Sequence, residues 1–210
     1  MRFSFNLDSP IMQFLGRLAD IMVLNIVFLL TCIPIFTIGA AVTGLYDVVF
    51  RMDTGREGKL FATYFRSFRS NFRQATAIWL VLLVFGIATV VNMVYLSKIG
   101  GILGYLLVMG TMLVLVILVM VFSYAFPLLS QFDNTAKQTA KNALLLSVGH
   151  LPRSLVLLVI NCFPWVLMIV NLYTFAQMSL LWLFLYFSAA AYFNSRVLNR
   201  VFKPYWQQGT

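Results

Sequence analysis

Charge is what this chain of 210 residues has least of: Asp, Glu, Lys and Arg make up 10% of it, where soluble domains carry about 25%. Acids are the scarcest, six against fifteen Lys and Arg, for a net charge of +9. Histidine occurs once, as His150, which excludes a histidine pair or a histidine-based metal cluster within one chain. The two cysteines, Cys32 and Cys162, both lie inside apolar runs, so they read as buried thiols and not as a disulfide framework. Phosphate-cradling glycine loops, a nucleophile elbow and zinc-ligand spacing are all absent from the sequence. These shortages exclude the usual catalytic constellations, and the expectation is a protein that is not an enzyme and holds no cofactor or metal. What is abundant is apolar surface: 61% of residues, with a mean hydropathy of +0.91. A water-soluble fold of this size cannot hide that much. Disorder, collagen, coiled coil and a disulfide scaffold are excluded by the same numbers.

A bilayer core of about 30 Å takes about 20 helical residues. Runs free of Asp, Glu, Lys and Arg cover 21–46, 74–97, 99–132 and 154–195. The last is long enough for two crossings with a turn near 172–179. The expectation is therefore an all-α integral membrane protein in one domain, 1–210. It has about five transmembrane helices, at roughly 18–36, 74–96, 103–126, 154–173 and 179–196, and two cytoplasmic amphipathic helices at 59–73 and 130–153. The stretch 21–36 is long for the core of a secretion signal, and Arg17 with Asp20 suits one poorly.

Basic residues cluster between these runs. With the loop 37–73 taken as cytoplasmic, twelve fall on that side and three (Arg2, Arg17 and Lys98) on the other. That is a positive-inside pattern, with the N-terminus outside and the C-terminus cytoplasmic. It also accounts for the net charge without a nucleic-acid partner. Pro34 interrupts the first crossing, so a second arrangement is open. If 38–52 returned through the membrane there would be six segments, both termini inside, and a 14:1 split. Against that, 38–52 looks too short to span and contains Asp47; a re-entrant or shallow helix is the other option.

Two segments concentrate polar chemistry. In 59–73, Phe61, Phe65, Phe68 and Phe72 form an aromatic stripe beside Arg66, Arg69 and Arg73. Such a helix is expected to lie in the interface, as an anchor on anionic lipid or a docking face. In 130–153, Asp133 or Asn134 is expected to cap a helix starting at Thr135, with Asp133 and Lys137 an i,i+4 pair. Ala136, Ala140 and Ala143 form a small-residue stripe, Gly149 ends the helix and Pro152 stops its continuation. Asn25, Asn92, Asn161 and Asn171 are expected to make interhelical hydrogen bonds, and Pro164 to kink its helix.

Phe132-Asp133-Asn134-Thr135, Lys141-Asn142-Ala143-Leu144-Leu145-Leu146 and His150-Leu151-Pro152-Arg153 together resemble the signature stretch of the YesL-like family of bacterial membrane proteins (the DUF624 domain). Pro34-Ile35-Phe36-Thr37-Ile38-Gly39, the run to Tyr46, Phe65-Arg66-Ser67-Phe68 and Asn71-Phe72 resemble it too. Ala41-Val42 departs from the Pro-Ala expected after the glycine. The resemblance implies a multi-pass protein without an assigned activity, suspected as an accessory of carbohydrate ABC importers. Importer permeases dock on their ATPase through a loop with the spacing of Asp133 to Leu151-Pro152. Thr139, Asn134 and Thr135 stand at its glycine and alanine positions, so coincidence accounts for the match.

The expected function is a non-catalytic accessory membrane subunit of such an importer, bound to its permease subunits, with self-association left open. It would dock on partner or lipid through Phe61, Phe65, Arg66, Phe68, Arg69, Phe72, Arg73, Asp133, Asn134, Lys137, Lys141, His150, Pro152 and Arg153. The alternative is a transporter or channel in its own right for a neutral solute.

Overall fold

A computed structural model describes residues 10–55 and 58–206. It is all helical, with no strand among the described residues: α1 Pro10–Cys32, α2 Ile38–Asp53, α3 Leu60–Leu96, α4 Gly101–Gln131, α5 Ala136–Gly149, α6 Leu151–Val170, α7 Leu172–Gln177, α8 Ser179–Leu181 and α9 Phe187–Trp206. A 3-10 turn at Ile35–Thr37 joins α1 to α2, and a π-helical turn at Trp182–Tyr186 joins α8 to α9. Five segments are long and apolar enough to cross a membrane: Ile11–Cys32, Ile35–Asp53, Leu60–Leu96, Gly101–Gln131 and Leu151–Val170.

The set of five differs from the expected one. Residues 38–52 are no loop: α2 is the centre of the bundle, with every residue from Gly39 to Phe50 buried. At 16 residues it is about 24 Å long, but protein and not lipid surrounds it. It therefore needs neither the length nor the uniform apolarity of a lipid-facing helix. Small residues let neighbours close in. A Cβ on Gly39 would sit 2.4 Å from the Ala75 carbonyl oxygen, and one on Gly44 would sit 3.1 Å from that of Tyr64. Asp47, which argued against a crossing, is 7% exposed and accepts from Arg51 Nε at 2.9 Å one turn on. The segment 179–196 is helical, but Ser188, Asn194, Ser195 and Arg196 dilute its apolarity, so it is not among the five; Ser188, Asn194 and Ser195 give it a polar inner face.

Asp20 of α1 shares a pocket with Arg51 and Met52 at the end of α2 and with Gly58 and Leu60. Asp53 binds Arg196 and Asn199 of α9. The first half of α1, the end of α2, the start of α3 and the end of α9 thus share one end of the bundle. The 3-10 turn after Pro34 reverses the chain between α1 and α2: Thr37 Oγ1 donates to the Thr31 and Pro34 carbonyls, and Trp79 Nε1 donates to Ile35 O at 2.7 Å.

The core joins helices by polar bonds where lipid offers none. Asn25, fully buried, donates to Trp182 O at 3.0 Å and Leu183 O at 2.7 Å and accepts from Ser188 N at 2.9 Å. Its amide stands between a carbonyl and an N–H five residues apart, Leu183 O and Ser188 N, the spacing a π turn would otherwise bond directly. Pro164 has no N–H for the carbonyl four residues before it; that carbonyl, Ile160 O, accepts from Tyr186 OH instead. A chain runs from Tyr46 OH through Asn194 and Asn161 to Ser123 Oγ, with Asn194 Nδ2 to Asn161 Oδ1 and Asn161 Nδ2 to Ser123 Oγ both 2.9 Å. Asn25 and Asn161 are thus interhelical as expected, while Asn171 caps α7 through Thr174 N. Asn92 is exposed.

Candidate functional site: a polar cleft at one end of the bundle

α3 runs unbroken for 37 residues, about 55 Å. Only about 20 residues are needed to cross the hydrocarbon, so with 77–96 in lipid the turns before Gln74 project beyond it. Their buried face is Thr63, Tyr64 and Ser67, turned to α2. The expected aromatic stripe divides. Phe68 and Phe72 pack half-buried on the core, with Tyr64 stacked on Phe68, while Phe61 and Phe65 stay outside at 53% and 40% exposure. This segment is the outer part of a continuous helix standing against α2, which corrects the reading of a helix lying flat in the interface.

The second segment departs in one detail. The cap of α5 is Thr135, not Asp133 or Asn134. Thr135 and Gln138 form a reciprocal capping box, the Thr-x-x-Gln pattern that promises one. Asp133 therefore lies in the extended linker, and the i,i+4 pair with Lys137 does not form. Ala143 is fully buried and Ala136 packs on the core, as the small-residue stripe required. Gly149 ends α5, His150 forms the junction and Pro152 sits in the first turn of α6. Ser154 closes this corner, donating to Ser147 O at 2.7 Å and pairing with Tyr124 OH at 3.0 Å.

Between these segments lies a cleft of about 750 Å³. One wall is α3, with Arg66, Ser67, Ser70, Asn71 and Gln74; α2 contributes Asp47 and Arg51. The far wall is the end of α4 and its linker: Leu129, Ser130, Gln131, Phe132, Asp133, Asn134 and Thr135. The structure thus brings Arg66 of the first expected set together with Asp133 and Asn134 of the second. Phe61, Phe65, Phe68, Arg69, Phe72, Arg73, Lys137, Lys141, His150, Pro152 and Arg153 do not line it; of these Arg69, Arg73, Lys137, Lys141, Pro152 and Arg153 are exposed. A narrower groove of about 320 Å³ adjoins Asn134, between Phe132, Leu145, Leu146, Phe202 and Tyr205.

Within the cleft Asp47 is committed to Arg51. Arg66 has no acid partner among the described residues. Asn71 Nδ2 donates to Ser67 O at 3.2 Å, and Gln131 Nε2 to Ser130 O at 3.2 Å, so the hydroxyl and amide groups hold one another in place. Sequence reasoning missed Asp47, Arg51 and the α3 polar row. The signal was there: Ser67, Ser70, Asn71 and Gln74 recur at the i, i+3, i+4, i+7 spacing of one helix face. Among the described residues, no group of three or more His, Cys, Asp or Glu side chains gathers as a metal site would need.

Fold and cleft together define an all-α multi-pass membrane protein with a polar opening at one end. Residues 21–93 match the family model described as "Protein of unknown function, DUF624", which covers the second half of α1, all of α2 and most of α3. The match agrees with the DUF624 resemblance over these residues; the 130–153 stretch lies outside it. No curated protein and no solved structure matches the chain.

Proposed function

We propose that this protein is a non-catalytic membrane subunit that docks a partner at its cytoplasmic end, the partner being the permease of a carbohydrate ABC importer. The observation that carries the docking reading is the convergence of both charged segments on one cleft at one end of the bundle. The importer comes from the family resemblance. With α8 and α9 counted as a sixth pass, both described chain ends are read as cytoplasmic. Supporting this, Arg17, Arg51, Lys59, Arg66, Arg69, Arg73, Lys137, Lys141, Arg153, Arg196, Arg200 and Lys203 gather at the cleft end, and Lys98 alone among the described basic residues sits at the other. That asymmetry is the positive-inside pattern, sharper than with five crossings.

Orientation is tested with single cysteines in a variant whose Cys32 and Cys162 are serine. Ser97→Cys should react with an impermeant maleimide on intact cells, and Gln13→Cys and Gln138→Cys only after permeabilisation. Labelling of Gln13→Cys from outside defeats the six-pass orientation. Docking is tested by affinity capture from native membranes. Permease and ATPase subunits should co-purify; recovery of the protein alone, with sugar uptake unchanged on its deletion, rejects the accessory role.

A second reading, a conduit for a neutral solute, is favoured by the buried Tyr46–Asn194–Asn161–Ser123 chain. It requires solute flux into vesicles holding the purified protein, abolished by Asn161→Leu.

A further inference from the structure

We infer that the cleft is a binding site for a polyol phosphate: one compact anion carrying vicinal hydroxyls, either as a soluble ester or as the glycerophosphate headgroup of a lipid. It rests on the proposed reading only in placing this end in the cytoplasm.

The charge pattern selects the anion. Four charged side chains line the cleft, Asp47, Arg51, Arg66 and Asp133. Asp47 and Arg51 neutralise each other at 2.9 Å. Asp133 is exposed at the rim, as Arg66 is, and no ion pair joins the two. Arg66 is left facing the cleft with no acid partner, and a guanidinium fork matches phosphate oxygens two at a time. Arg51 spends its Nε on Asp47, and its terminal nitrogens, on a side chain 41% exposed, make no described hydrogen bond. The first turn of α5 opens from Thr135 on the same rim, and its free N–H groups add a weaker pull in the same sense. Four lining charges that sum to zero do not suit a polyanion such as nucleic acid.

The neutral lining selects the hydroxyls. Ser67, Ser70, Asn71 and Gln74 face Ser130, Gln131, Asn134 and Thr135 across the opening. Amides and hydroxyls both donate and accept, as a ligand hydroxyl does. Asn71 and Gln131 have their Nδ2 and Nε2 engaged locally, leaving their carbonyl oxygens to accept. Phe132 gives one apolar face for the carbon skeleton. About 750 Å³ lies within the usual range for small-molecule sites of about 300–1,000 Å³. Because α3 leaves the hydrocarbon near this level, a headgroup in the inner leaflet and a soluble ester can both reach the opening.

The test uses the full chain in an uncharged detergent. Glycerol 3-phosphate, inorganic phosphate and glycerol are titrated against thermal unfolding. Separately, the protein is placed in nanodiscs of phosphatidylcholine with and without phosphatidylglycerol. Saturable protection by glycerol 3-phosphate, at least tenfold tighter than by phosphate or glycerol, identifies the soluble source. Selective stabilisation by phosphatidylglycerol without that response identifies the headgroup. In whichever arm responds, Arg66→Gln is expected to weaken binding at least tenfold and Ser70→Ala severalfold. Arg200→Gln, at the same end but outside the cleft, should change it less than twofold. Absence of saturable binding in both arms overturns the inference. So does equal weakening by Arg66→Gln and Arg200→Gln, which would mean bulk positive potential and no site. All of this is read without a partner present, so docking and ligand binding can fail separately.

Discussion

Gly39 offers the sharpest test of the packing. The change is Gly39→Ala, set against the same change at Gly110. Gly110 lies inside α4 and gains about 1 kcal/mol of helix propensity from a methyl group, while Gly39, the second residue of α2, gains less. Their surroundings differ completely. A Cβ on Gly110 meets nothing within 4 Å, whereas one on Gly39 meets Ala75 O at 2.4 Å, Trp79 Cβ at 2.7 Å and Phe126 Cε1 at 2.9 Å. Two of those atoms are held by the α3 backbone, and Trp79 is tied to Ile35 O, so neither can swing aside. Overpacking costs about 1–3 kcal/mol where neighbours relax, and backbone contact puts this site at or above the top of that range. The expected net effect is destabilisation of about 2 kcal/mol for Gly39→Ala, or roughly 4–8 °C in Tm for a chain this long. Gly110→Ala should be neutral or stabilising by up to about 1 kcal/mol. Thermal unfolding of both variants in one detergent measures this. A Gly39→Ala protein as stable as Gly110→Ala would refute the close crossing of α2 and α3, and with it the central place of α2.

Three further outcomes are expected. Asn25→Leu leaves two carbonyls and one N–H of the π turn without their partner and should cost about 2–3 kcal/mol, read by thermal unfolding with Trp182 emission shifted; an unchanged Tm would mean the turn does not depend on Asn25. Tyr186→Phe should cost about 1 kcal/mol, and much less in a Pro164→Ala background, where residue 164 can donate to Ile160 O itself; additive effects in that cycle would show that the hydroxyl serves something else. Thr135→Ala breaks the capping box of α5 and should cost about 1 kcal/mol, with faster amide exchange confined to the first turn after residue 135; exchange unchanged there would dismiss the cap.

The polar core was half legible. Asn25 and Asn161 announced interhelical bonds simply by standing in apolar runs, but what they bind could not be read. Asn25 meets a π turn more than 150 residues away in the chain, and no local pattern encodes that. Pro164 was visible as a missing donor, yet the hydroxyl that replaces it, Tyr186, is fixed only by how α6 and α9 pack. The cap at Thr135 was readable and was placed one or two residues early, because Asp133 and Asn134 are also good cap residues and only backbone geometry chooses among them. Arg66 and Asp133 were each picked out, but as members of separate segments.

Composition by itself determined that lipid is the solvent and that the secondary structure is helical. Too little polar surface exists to cover a soluble fold, and a backbone in hydrocarbon must pair within its own segment. It also determined that basic charge gathers at one end. Tertiary structure alone decided that Ile38–Asp53 is a buried helix, that Asp53 pairs with Arg196 of α9, and that Asp47, Arg51, Arg66 and Asp133 share one cleft. Hydropathy judges each segment as if lipid surrounded it, and a helix enclosed by its neighbours answers to shape: two glycines, a 3-10 turn and the carbonyls they bring together.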